Sequence, residues 1–185
     1  MKILTGRLRG RRIEFKPNPS LRPTADKVRQ AVFNILQAKT KGAKVLDLYS
    51  GTGALGMEAL SSGATSAIFV ENDSLQCQKI RRSLEALGLT AFAEVKCSEA
   101  LKVIQEFSKN GERFDIIFLD PPYERDLAVK TLMSISETDI LYDDRSSIIC
   151  EVRKNEVLPE EIKKLRCLKT KLYGDTKILV FGKSA

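Results

Sequence analysis

Residues 47–58, DLYSGTGALGME, follow the apolar run that starts at Lys44 and lead into a helix-forming segment that stops at Gly63. A buried strand, a glycine turn and a helix N-terminus, in that order, open an α/β nucleotide-binding unit. Gly51, Gly53 and Gly56 fit the G-x-G-x-x-G spacing, and Glu71 stands 20 positions after Gly51, where an acid can take both ribose hydroxyls. The glycines alone also describe a nicotinamide-dependent oxidoreductase.

Working outward, the same alternation continues. SAIFVEN (66–72) predicts a second strand, and Asp73 caps a helix that ends before Gly88. FAEVKC (92–97) precedes a helix carrying Leu101, Ile104 and Phe107, and FDIIFLD (114–120) is apolar enough for a strand buried on both faces. A helix around Leu127 to Ile135 leads to a fifth strand, SSIICEV (146–152), and CLKTKLYGDTKILVFG (167–182) predicts a hairpin turning at Gly174-Asp175. The expected fold is α/β: a doubly wound, mostly parallel, seven-stranded sheet with a C-terminal antiparallel hairpin. Ligands of such sheets bind outside the carboxyl ends of the strands. Asp47 to Gly53, Glu71, Ser98, Glu99 and Asp120 to Tyr123 should therefore share one crevice.

Upstream, KILTGRLRGRRIEF (2–15) alternates apolar and basic residues around Gly6 and Gly10, a pattern for a small β-ribbon with arginines outside. Pro17, Pro19 and Pro23 make the next stretch an extended loop. Thr24 fits a helix N-cap, and Val28, Ala31, Val32, Ile35 and Leu36 form an apolar stripe. Lys27 and Arg29 lie off that stripe, where they are free to face a ligand or water.

Net charge is +7, but residues 1–44 hold 12 Lys or Arg against two acids, leaving 19 basic and 22 acidic residues in 45–185. A basic excess confined to one quarter of the chain marks a surface for a polyanion. The chain has no histidine, which removes the Ser-His and Cys-His nucleophile schemes, and its four scattered cysteines form neither a zinc pattern nor a disulfide framework. No metal site is expected. No apolar run reaches the roughly 20 residues of a membrane span, and Met1 opens a basic segment unlike a secretory signal. A cytoplasmic monomer is expected.

Asp47 bears on the choice of cofactor. Pyrophosphate rests on the amides of a helix N-terminus, and a carboxylate closing the strand would oppose it. The same carboxylate suits S-adenosylmethionine, which carries a cationic amino group. A second motif, DPPY (120–123), ends the fourth strand. Its two prolines lack N–H donors, leaving an edge rich in acceptors: the Asp120 carboxylate and carbonyls such as that of Pro121. An exocyclic amine, N2 of guanine or N6 of adenine, would give two N–H groups to that edge, and Tyr123 could stack on the base for about 1–3 kcal/mol.

Together, VLDLYSGTGALGME, DPPY, RLRGRRI and RPTADKVRQAVFNIL resemble the bacterial 16S ribosomal RNA guanine-N2 methyltransferase family (RsmD), over Leu8 to Phe181. The resemblance implies a Rossmann-like class I methyltransferase that acts on one guanine in the helix 31 loop of 16S rRNA, free or in the small subunit. Carried over by position, Asp47, Ser50, Gly51, Thr52, Gly53, Glu71, Asn72, Glu99 and Ala100 would hold S-adenosylmethionine. Asp120, Pro121, Pro122 and Tyr123 would form the catalytic edge. Arg7, Arg9, Arg11, Arg12, Arg22, Lys27 and Arg29 would contact RNA. Residues 1–23 would be an RNA-facing extension and 24–185 the methyltransferase domain. Adenine N6 remains open as an alternative target, and a nicotinamide oxidoreductase as an alternative class.

Overall fold

A computed structural model describes residues 1–14, 26–122 and 126–184. Thr24, Arg22, the prolines of the loop and Tyr123 lie outside the described residues. The first strand, β1 (Lys44–Leu48), is buried along nearly its whole length. Its neighbours are β2 (Ser66–Glu71) on one side and β4 (Ile116–Leu119) on the other, both parallel to it. β3 (Ala93–Cys97) extends the sheet beyond β2, and β5 (Ser147–Arg153) extends it beyond β4. The chain thus winds outward from β1 through β3 and then back across it to β4, which puts a switch point between β1 and β4.

The hairpin turns where expected: β7 (Leu165–Tyr173) and β8 (Thr176–Lys183) are antiparallel, and β8 inserts between β5 and β7. The sheet has eight strands, one more than the sequence predicts. The addition is β6 (Glu161–Ile162), which pairs with the start of β7. Two residues are too few to show a strand period.

Two apolar layers sandwich the sheet. Helices α1 (Asp26–Leu36), α2 (Ala54–Ser61) and α3 (Ser74–Leu87) cover one face with residues such as Val32, Met57 and Ile80. Helices α4 (Ala100–Lys109) and α5 (Leu127–Glu137) cover the other with Val103, Phe107 and Leu132. Asp73 caps α3 by accepting from the Leu75 and Gln76 amides, and Gly88 ends it in the left-handed region. No helix among the described residues is long and apolar enough to cross a membrane.

The N-terminal ribbon pairs residues 1–3 with 10–13: the Ile3 amide donates to the Arg11 carbonyl at 2.9 Å and the Ile13 amide to that of Met1 at 3.0 Å. Ile3 and Ile13 point inward and join the α1–α3 core. A polar knot fastens it further. Glu58, in the middle of α2, accepts from the Leu4 amide at 3.0 Å and from the Thr5 hydroxyl at 2.6 Å. Arg29 faces the same carboxylate with its Nε at 3.3 Å and gives Nη2 to the Lys2 carbonyl at 2.6 Å. This corrects the reading of Arg29 as free. Its side chain is 0 % exposed, as is that of Glu58, so Arg29 clamps the ribbon to the body. Lys27 does stay exposed.

The ribbon's turn lies at the amino edge of the sheet, away from the carboxyl ends of the strands. Ser61, the last residue of α2, donates to the Thr5 carbonyl at 2.6 Å, and Arg11 reaches the Ala86 carbonyl in the last turn of α3. Both helix ends sit where the next parallel strand begins.

Candidate cofactor and amine site

The β1–α2 loop is shaped by short-range bonds. Gly51 and Gly53 adopt φ of 53° and 73°, which glycine accepts without strain. Ser50 is buried and structural: its hydroxyl donates to the Asp47 carbonyl at 2.7 Å, while its amide donates to that of Val70. Gly56 serves packing, since a Cβ there would come within 2.3 Å of the Phe69 ring. Tyr49 also lies at positive φ, 59°, and its hydroxyl meets the Thr131 hydroxyl on α5 at 2.8 Å, tying the loop to the helix that follows DPPY.

Asp47 is 2 % exposed and accepts from the Gly56 amide at 3.0 Å. Burial, reinforced by the charges of Asp120 and Glu71, pushes its carboxyl well above the usual carboxylate range against the opposing pull of that amide. Asp47 therefore pins the start of α2 and does not line the neighbouring cleft.

That cleft, about 220 Å³, opens between the ends of β2 and β3 and the start of α5. Val70, Ala100, Leu101 and Leu127 give it apolar walls, while Glu71, Asn72, Ser98 and Glu99 add polar groups, a lining that suits a flat adenosine with a hydrophilic sugar. Glu71 is held by the Gly51 amide on one oxygen, at 2.8 Å, and by the Asp73 amide on the other, at 2.9 Å. Each oxygen keeps a lone pair for a ribose hydroxyl. Glu99 occupies the N-cap position of α4, but its side chain makes no capping bond. Of the residues assigned to the cofactor, Glu71, Asn72, Glu99 and Ala100 thus line the cleft; Asp47, Ser50, Gly51, Thr52 and Gly53 form the loop beside it. Tyr49, Leu101 and Leu127 belong to the wall and escape the sequence reading, because their spacing marks only core or loop.

Asp120, Pro121 and Pro122 leave the end of β4, across the switch point from the Asp47 loop. Pro121 is buried and Pro122 exposed. The two buried cysteines offer no nucleophile: burial pushes Cys150 well up, and burial with Cys97 alongside pushes Cys77 up to about 12.

Sheet order, the glycine loop after β1 and the cleft at the ends of β2 and β3 are those of a class I methyltransferase that uses S-adenosylmethionine. The nicotinamide reading of the glycines is thereby set aside. The family described as Conserved hypothetical protein 95 matches residues 1–182, and the chain belongs to it, the family of ribosomal RNA small subunit methyltransferase D. Ribosomal RNA small subunit methyltransferase D of Escherichia coli (strain K12) is 35% identical over 144 residues, 78% of this chain and 71% of that protein. The Bacillus subtilis (strain 168) protein YlbH is 34% identical over 183 residues, 99% of each chain. The solved structure of Escherichia coli yhhF superposes with a TM-score of 0.84 at 31% identity, covering 100% of this chain and 98% of that one.

Proposed function

We propose that the protein methylates the exocyclic N2 amine of a guanine in 16S ribosomal RNA, in the helix 31 loop, on free RNA or an assembling small subunit. The observation that carries this reading is the placement of Asp120 and Pro121 at the end of β4, beside the loop and cleft fitted to the cofactor. Glu71 takes the ribose hydroxyls, Asn72, Glu99 and Ala100 border the adenine, and the Ser50–Gly53 backbone carries the methionine end. When bound, S-adenosylmethionine supplies an electrophilic methyl on a sulfonium.

The protein's part is to aim the amine. Asp120 and the Pro121 carbonyl accept its two N–H groups, which draws the lone pair out of the ring and toward the methyl. Asp120 also takes the proton the nitrogen sheds. Pro122 stiffens the edge and Tyr123 stacks on the base. Arg7, Arg9, Arg11, Arg12, Arg22 and Lys27 take RNA phosphates, with residues 1–23 as the RNA-facing extension of a catalytic domain spanning 24–185. The direct test is incubation with methyl-labelled S-adenosylmethionine and either bare 16S rRNA or small subunits lacking the modification, followed by digestion to nucleosides. Label in N2-methylguanosine is expected. Label in N6-methyladenosine would move the reading to the other amine, and no label in any RNA would defeat it.

A further inference from the structure

A second basic surface lies where β7 of the hairpin passes α1. Lys169, Lys171 and Tyr173 alternate along β7, so they share one face of the strand. Their register settles which face: Lys171 is opposite Ile178 and Lys169 opposite Val180, and both partners belong to the core layer beneath α1. On α1 itself Lys27, Gln30 and Asn34 recur at helical spacing along the exposed edge, and Gln37 continues the row. The two rows border an open groove of about 570 Å³. Its lining includes three lysines and no acid, and none of these lysines makes an ion pair with a described residue.

The groove has a direction. Lys39, just past α1, reaches the Arg145 carbonyl and the Ser147 hydroxyl at the start of β5, so α1 ends at the amino edge and begins at the carboxyl edge. β7 likewise ends at the carboxyl edge, with Tyr173. Lys27 and Tyr173 therefore stand at the end of the groove nearest Asp120, three strand spacings away, or about 14 Å. A base whose amine is to be methylated must be presented unstacked, either in a single-stranded segment or flipped from its stack, and the loop target proposed above supplies the single-stranded case. A strand of phosphates leaving that base meets, in order, an aromatic ring, evenly spaced cations and amide side chains.

We propose that the α1–β7 groove binds the single-stranded RNA flanking the methylated nucleotide, with Lys27, Lys169 and Lys171 on its phosphates and Tyr173 against a base. The inference rests on an RNA substrate. The test measures binding of a fluorescently labelled single-stranded RNA oligonucleotide across a salt series, with no methyl transfer required. Lys169→Ala with Lys171→Ala is compared with Lys109→Ala with Lys164→Ala, which removes the same charge outside the groove. The groove variant should bind about tenfold more weakly and lower the log–log salt slope by about 1.4, while the control stays within about twofold of the parent. Equal behaviour of the two variants overturns the proposal. So does crosslinking of thio-substituted RNA that maps only to the N-terminal ribbon. Loss of binding by the groove variant in a protein that methylates no RNA would sustain the groove and defeat the proposed activity, so the two failures are distinguishable.

Discussion

At the carboxyl edge of the sheet, Glu71 and Glu99 line the cleft, with Asp47 buried beside it and close enough to Asp120, at the end of β4, to feel its charge; at the amino edge, Arg7, Arg9, Arg11 and Arg12 surround the turn of the ribbon. The eight residues of α2 alone separate these regions by about 12 Å. An acidic crevice suits a small cationic cofactor and repels phosphates. A polyanion must therefore be held by surfaces away from the reacting atoms and brought to the crevice by a single nucleotide. The two edges are also secured differently. The crevice is shaped by backbone amides on carboxylates, as at Gly51 and Glu71, whereas the ribbon is locked by the buried Arg29–Glu58 pair. Chemistry and affinity should accordingly fail independently.

The largest effect should come from Asp120→Ala. Removing the charged acceptor should slow single-turnover methyl transfer by at least about 10²- to 10³-fold, while calorimetric titration finds cofactor affinity within a few-fold of the parent. A parallel loss of cofactor binding would place Asp120 with the loop instead of the amine. At the other edge, Glu58→Ala strands the Arg29 guanidinium and the Leu4 amide in the interior. The expected cost is about 3–5 kcal/mol in denaturant unfolding, with a fall in Tm of about 10 °C. Glu58→Gln, which keeps an acceptor for the ribbon, should lose less. Unchanged stability in both variants would show that the ribbon docks through Ile3 and Ile13 alone.

This contrast also explains what the sequence could show. The carboxyl edge was legible because strand ends are marked by apolar runs that stop at Glu71 and Asp120 and just after Asp47, one residue inside the end of β1. Glycine spacing and proline chemistry then narrowed the chemistry. The knot was not legible: Arg29 and Glu58 are 29 positions apart on different helices, and either charge alone reads as a solvated face. Arg29 lies beside the apolar stripe of α1, and only the arrival of the ribbon over it turns that position inward. Similarly, β6 is too short to carry a period, and nothing in the spacing marks the bond from the Gly56 amide to Asp47.

A smaller effect is expected from Arg9→Ala with Arg12→Ala. Both residues are exposed, whereas Arg7 lies over the Phe92 ring and Arg11 bonds the Ala86 carbonyl. The pair should reduce the salt slope of rRNA binding by about 1.5 and leave the transfer rate at saturating RNA unchanged. A slower saturated rate would mean that the amino edge reaches the reacting base after all, and the separation of the two edges would collapse.

The smallest effect on stability should come from Asp47→Asn, and it bears on what the acid at the strand end is for. Burial raises the Asp47 carboxyl in the folded protein above its value in the unfolded chain. The native state therefore holds that proton more tightly. The stability this contributes is complete below the ordinary carboxylate range and is lost as pH rises through the raised native value. Asparagine keeps an acceptor for the Gly56 amide but does not titrate. Relative to the parent, the variant should gain stability as pH rises from the acid side of the carboxylate range to neutrality, measured by urea unfolding at matched pH values. If the sole work of Asp47 is to pin α2, cofactor affinity should barely change. A loss of about tenfold or more would mean that the cofactor's cationic amino group draws Asp47 into its ionised form on binding, which would make the same side chain a pin in the free protein and a counter-ion in the complex.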